Sequence, residues 1–140
     1  MSVDFIDSDV VLYVFDETAF DKRAIAKSLI QSALQNGSAV IRHQVVQEAL
    51  NVLNSKRKPD ATAEQARRFV ESVLVPLWRV MPNAALYRRA LEAKQRYAFS
   101  FYDAQIVAAA LEAGCARLLT EDLQDGQRIE GLVVVNPFNA

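Results

Sequence analysis

The chain has 140 residues, 51% of them hydrophobic, with 16 Lys and Arg against 17 Asp and Glu for a net charge of -1. That length accommodates one buried core rather than two, so residues 1–140 read as a single domain, and the near-neutral balance provides no long-range basic field to attract polyanions. The longest apolar runs, Val10 to Phe15 and Ile106 to Leu111, fall far short of the roughly 20 residues of a membrane helix, the single Cys115 excludes an internal disulfide, and no leader pattern is legible; a cytoplasmic address without membrane association is expected.

Val3 to Ile6 reads as a short strand ending at Asp7. Asp21 to Gln35 follows as a helix carrying Ile25, Leu29 and Ile30 and stopping at Asn36-Gly37. Ala39 to Ile41 is a second strand and Gln44 to Leu53 a second helix. Thr62-Ala63-Glu64-Gln65 is a capping box that opens a third helix, running to about Leu74. Trp78 to Met81 reads as a strand, Asn83 to Tyr97 and Phe101 to Ala113 as helices, and Arg117 to Leu119 and Leu132 to Val135 as the final strands. Strands separated by helices imply parallel pairing through crossovers, hence an α/β sheet covered on both faces. In such sheets ligands bind beyond the carboxyl ends of the strands.

Four acids stand out from ordinary surface charge. Asp7 and Asp122 each follow an apolar strand, Val3 to Ile6 and Arg117 to Leu119, where a carboxylate is costly unless it is used. At 100° per residue, Asp103 lies at the centre of the stripe formed by Ile106, Val107, Ala110 and Leu111, with Gln105 and Glu112 opposite. Glu48 sits at the margin of its helix's apolar face, beside Val45 and Val52. Each has a plainer reading: Asp7 or Asp122 as an Asx turn, Asp103 as the partner of Ser100 in a capping box, Glu48 as an exposed helix acid. A parallel sheet would gather them, and clustered carboxylates oppose one another's ionisation unless a cation is present. Oxygen-only ligands without a Cys or His cluster favour Mg²⁺ or Mn²⁺. Cys115 reads as a packed small hydrophobe, the lone His43 as a turn or capping residue, and Tyr102 as a packing residue beside Asp103. Arg42, Lys56, Arg57, Lys58, Arg67, Arg68 and Arg96 are cations available to substrate phosphates, with no individual role assigned.

Four segments taken in order, Phe5-Ile6-Asp7-Ser8-Asp9-Val10-Val11-Leu12-Tyr13, Gln44-Val45-Val46-Gln47-Glu48, Ser100 to Ala110 and Leu118-Leu119-Thr120-Glu121-Asp122-Leu123-Gln124, resemble the PIN-domain nucleases. Within that family the chain is similar to the VapC-type toxins of bacterial toxin-antitoxin pairs, which have this length and a similar Val-Asn-Pro-Phe near the end. The resemblance implies a three-layer α/β/α sandwich around a parallel sheet of about five strands, metal-dependent endoribonuclease activity, a homodimer and a small cognate antitoxin. It also implies that Asp7, Glu48, Asp103 and Asp122 are catalytic and hold Mg²⁺ or Mn²⁺, supported by Ser8 and Thr120. Asp9 stands where Asn is more usual, Asp125 where another polar residue such as His is frequent, and Glu121 could share the role given to Asp122. The chemistry implied is phosphodiester hydrolysis of RNA by a metal-activated water.

Two rivals keep part of the pattern. Asp7-Ser8-Asp9 after an apolar strand also opens haloacid-dehalogenase-type phosphohydrolases, but none of Lys22, Lys27, Lys56, Lys58 or Lys94 follows a predicted strand as that scheme requires. An inert module of the same fold, serving dimerisation or RNA binding, would leave the four acids without a purpose.

Overall fold

The computed structural model describes residues 2–56 and 58–139, so Arg57 of the basic run lies outside the described residues. The chain begins with β1 (Asp4–Ile6) and a short helix α1 (Ser8–Leu12), extended by a 3₁₀ turn at Tyr13–Phe15, and continues into the long α2 (Phe20–Asn36). Gly37 ends α2 in the left-handed conformation, at φ 62°, as expected for its place after Asn36. β2 (Ala39–Arg42) passes directly into α3 (His43–Leu53). The Thr62–Gln65 capping box forms in both directions and opens α4 (Ala63–Phe69). A π-helical turn, Val70–Leu74, and a last turn α5 (Val75–Leu77) then lead to β3 (Trp78–Val80). Helices α6 (Ala84–Tyr97) and α7 (Phe101–Glu112) form an antiparallel pair before β4 (Arg117–Leu119), β5 (Arg128–Ile129) and β6 (Leu132–Val135).

The sheet order is β3-β2-β1-β4-β6-β5. β1, β2, β3, β4 and β6 pair in parallel, which are the five strands expected. The sixth, β5, is a two-residue antiparallel edge on β6 that alternation over two residues cannot reveal. Side chains alternate across the sheet and divide the core in two. Phe5, Leu118 and Val134 face α6 and α7, while Ile6, Ile41 and Leu119 face α1, α2 and α3. The result is a three-layer α/β/α sandwich. The chain builds outward from β1 to β2 and β3, then returns to lay β4 against the other side of β1. That reversal opens a crevice at the carboxyl ends of β1 and β4, where doubly wound sheets hold their ligands.

Two local expectations change. Asp7 does not merely end a strand: it N-caps α1, its carboxylate accepting from the Ser8 N–H at 2.7 Å. A five-residue helix is shorter than the two turns over which a 3.6-residue period shows itself, and its Val10-Val11 pair looks like strand. α7 is buried almost all round, with Ala104 and Ile106 through Ala110 all inside, so its apolar surface is a wrap rather than the stripe centred on Asp103.

Candidate metal centre

Asp7 leaves β1 and Thr120–Asp122 leave β4, and the backbone N–H of Asp7 donates to the Leu119 carbonyl at 3.0 Å, locking the two strand ends together. Across this seam the Thr120 hydroxyl lies 3.0 Å from Asp7 Oδ2 and 3.1 Å from Asp9 Oδ2, while accepting from the Asp122 N–H at 3.2 Å. One hydroxyl carries one proton, so it cannot satisfy both carboxylates at once. Asp9 Oδ2 also accepts from the Glu121 N–H at 2.9 Å. Its other oxygen, Oδ1, is buried without a hydrogen-bond partner.

Oxygens of Asp7, Asp9 and Asp122 all lie within 4.8 Å of one another. Burial first, and crowding after it, is expressed in the acidities of Asp7 and Asp9. Burial pushes the Asp7 carboxyl up to about 6, against the opposing pull of the Ser8 N–H, the Thr120 hydroxyl and the Arg42 charge. Burial and then the Asp7 charge push Asp9 up to about 7. Three carboxylates, one of them with an orphaned oxygen, form an all-oxygen donor set whose repulsion a hard divalent cation relieves; Mg²⁺ or Mn²⁺ fits them and a thiolate-seeking metal does not.

The remaining expected site residues divide. Asp122 is in the trio, whereas Glu121 is drawn off to the side, accepting from the Tyr13 hydroxyl and from Lys22 Nζ at 2.6 Å. Ser8 and Thr120 sit buried at the seam. Glu48, half-buried on α3, is not in the trio; its Oε1 accepts from Gln44 Nε2 and from the Tyr102 hydroxyl, both at 2.9 Å. Asp103, half-buried in the first turn of α7, also stays outside the trio. Its N–H donates to the Ser100 hydroxyl at 3.1 Å, and its carboxylate has no partner among the described residues, so only the first half of the expected capping box forms.

Outside the trio, sequence reasoning understated three residues. Arg42, counted only as an available surface cation, is 2% exposed, and its guanidinium donates to Gln44 and faces the Tyr102 ring. A charge directly after the apolar Ala39–Ile41 was the available signal, the same one that singled out Asp7. Tyr102 does not simply pack; it is half-exposed and hydrogen-bonded to Glu48, with burial and then that carboxylate raising its hydroxyl to about 12. Lys22 joins the site through the Tyr13 hydroxyl at 3.2 Å and through Glu121, the latter a contact 99 residues apart in sequence and invisible to spacing. Cys115 is buried and its thiol is pushed up to about 11 by that burial, in keeping with a packing role. Beside Asp9 and Glu121 opens a cavity of about 640 Å³, walled in part by Leu12, Tyr13, Phe15 and Lys58.

The PIN domain model matches residues 5–128 of the chain. No curated protein is significantly similar to it in sequence. Among solved structures it is similar to a chain of a toxin-antitoxin complex from Klebsiella pneumoniae, at TM-score 0.69 and 20% identity over 96% of this chain and 97% of the other. It is similar as well to a chain of VapBC2 from Rickettsia felis bound to a promoter DNA fragment, at TM-score 0.66 and 14% identity over 94% and 96%. A third is VapC20 of Mycobacterium tuberculosis, described as a toxin that cleaves the sarcin-ricin loop, at TM-score 0.60 and 22% identity over 85% and 89%.

Proposed function

From its membership of the PIN domain family, we propose that the chain is a Mg²⁺- or Mn²⁺-dependent endoribonuclease acting as the toxin of a toxin-antitoxin pair. The observation that carries this reading is the Asp7–Asp9–Asp122 cluster at the β1/β4 crevice, with its orphaned Asp9 oxygen. The likeness of the fold to toxin chains, one of them described as cleaving the sarcin-ricin loop, supports RNA as substrate and a small antitoxin as partner. A homodimer and a cytoplasmic location belong to the same reading; no helix among the described residues is long and apolar enough to cross a membrane.

In this mechanism Asp7, Asp9 and Asp122 would hold the cation, with Glu48 from α3 and Asp103 from α7 as further candidate ligands outside the trio. The divalent ion supplies charge neutralisation at the scissile phosphate and activation of water. Thr120 keeps Asp7 and Asp9 in register through its bridging hydroxyl. Asp9, whose Oδ2 is held by the Thr120 hydroxyl and the Glu121 N–H, would complete the donor set beside Asp7 and Asp122.

The test is cleavage of a structured RNA by the purified chain with Mn²⁺, with EDTA, and in an Asp7→Asn variant. Cleavage confined to the metal-loaded wild type is expected, together with slowed bacterial growth when the wild type, but not the variant, is expressed alone. RNA binding that is equal with and without metal and never leads to cleavage would instead identify an inert binding module.

A further inference from the structure

Arg42 is a donor-only side chain carried at the end of a central strand and almost wholly inside the protein, yet no carboxylate lies within ion-pair distance of it among the described residues. Leaving a guanidinium in such a place is costly unless something depends on it. What it touches is Gln44. Because the guanidinium can only donate, it fixes the Gln44 amide with Oε1 toward Arg42 and Nε2 pointing away. One helical turn further on, that Nε2 meets Glu48 Oε1 at 2.9 Å. The same oxygen receives the Tyr102 hydroxyl, also at 2.9 Å, from α7 on the opposite side of the crevice. Tyr102 in turn presents its ring to the Arg42 guanidinium, 5.9 Å from centroid to Cζ.

We propose that Arg42, Gln44 and Tyr102 are positioning residues for Glu48: Gln44 and Tyr102 donate to its Oε1 from two helices, Arg42 orients Gln44, and Oε2 is left without a hydrogen-bond partner among the described residues, free for a cation. This rests on the reading of Glu48 as a metal ligand. Two donors on one oxygen, arriving from different helices, fix the rotation of the carboxylate about its own axis, which a single bond would not. Arg42 acts at one remove, by denying the Gln44 amide its flipped orientation, in which a carbonyl oxygen would confront the carboxylate.

The experiment is Mn²⁺ binding to the full chain, by calorimetry and by the EPR signal of free Mn²⁺, for Tyr102→Phe, Gln44→Met, Glu48→Ala and the two double variants with Glu48→Ala. Thermal melts confirm that each is folded; Tyr102 is partly exposed and Gln44 is only half-buried, so both substitutions are tolerable. Tyr102→Phe and Gln44→Met should each weaken Mn²⁺ binding about 10-fold, the usual cost of losing an outer partner of a metal ligand. Neither should weaken it further once Glu48 is Ala, because their effect passes through that carboxylate. With RNA, the single variants should lose kcat while KM is unchanged. Equal losses in the presence and absence of Glu48, or no loss in either single variant, would overturn the positioning role. Glu48→Ala binding Mn²⁺ as the wild type does would overturn the ligand assignment itself, and the positioning role with it.

Discussion

Replacing Asp7 by Asn should make the metal-free protein more stable at alkaline pH and less able to profit from metal. Asp7 is 4% exposed and burial raises its carboxyl from 3.8 to about 6. The folded state therefore keeps a proton that the unfolded chain has already released, and the stability present below pH 3.8 is lost as pH rises through about 6. At 1.36 kcal/mol per pK unit the loss is about 3 kcal/mol by pH 8, and about half of it has accrued by pH 5. Asn stays neutral and escapes this loss. It retains the acceptor for the Ser8 N–H and puts an amide N–H where Oδ2 faced Thr120; the hydroxyl then donates to Asp9 and accepts from the amide, a neutral bond replacing a charged one at a cost of about 1 kcal/mol. A net gain of about 2 kcal/mol remains, roughly 8 °C in melting temperature for a chain of this length. Thermal melts in EDTA at pH 5 and pH 8 provide the measurement, repeated at pH 8 with Mn²⁺, where ligand binding should lift the wild type and not the variant. A variant that melts below the wild type by the same margin at both pH values would refute the reasoning, since that margin would come from lost hydrogen bonds and not from a relieved charge.

Asp122→Asn should weaken Mn²⁺ binding about 100-fold while shifting metal-free stability by less than about 0.5 kcal/mol, because Asp122 is exposed and its side chain closes the trio without supporting the fold. Mn²⁺ affinity of the wild type should rise from pH 5.5 to pH 8, since Asp7 and Asp9 hold their protons up to about 6 and about 7 and the cation must displace them; a flat calorimetric affinity across that range would remove both from the ligand set.

The architecture was readable because its signals are local. All five parallel strands, the capping box at Thr62 and the stop at Gly37 follow from alternation, spacing and backbone freedom within a few residues. α1 was not, being too short for its period to register, nor was β5 with only two residues. Of the three clustered acids, Asp7 and Asp122 stood out in the sequence because a carboxylate beyond an apolar strand is anomalous wherever it occurs. Asp9 belongs with them in the trio, yet on sequence it stood only as a supporting residue and a departure from a family habit; what promotes it is a turn of α1 that carries it back over the seam. Adjacency left the choice between Glu121 and Asp122 open; in the structure Asp122 stands in the trio while Lys22 and Tyr13 hold Glu121 aside. Arg42 shows the limit most clearly: its position after a strand was visible, but its direction inward depends on how β2 turns straight into α3.

The seam between β1 and β4 also has a consequence in time. Asp7 and Thr120 are 113 residues apart along the chain. Asp7 and Asp9 follow β1 while Thr120 and Asp122 follow β4, so neither strand holds the acidic crevice alone and it comes into being only when the two pair side by side. Whatever chemistry the crevice performs is thereby withheld from any form of the chain in which β1 and β4 have not yet docked.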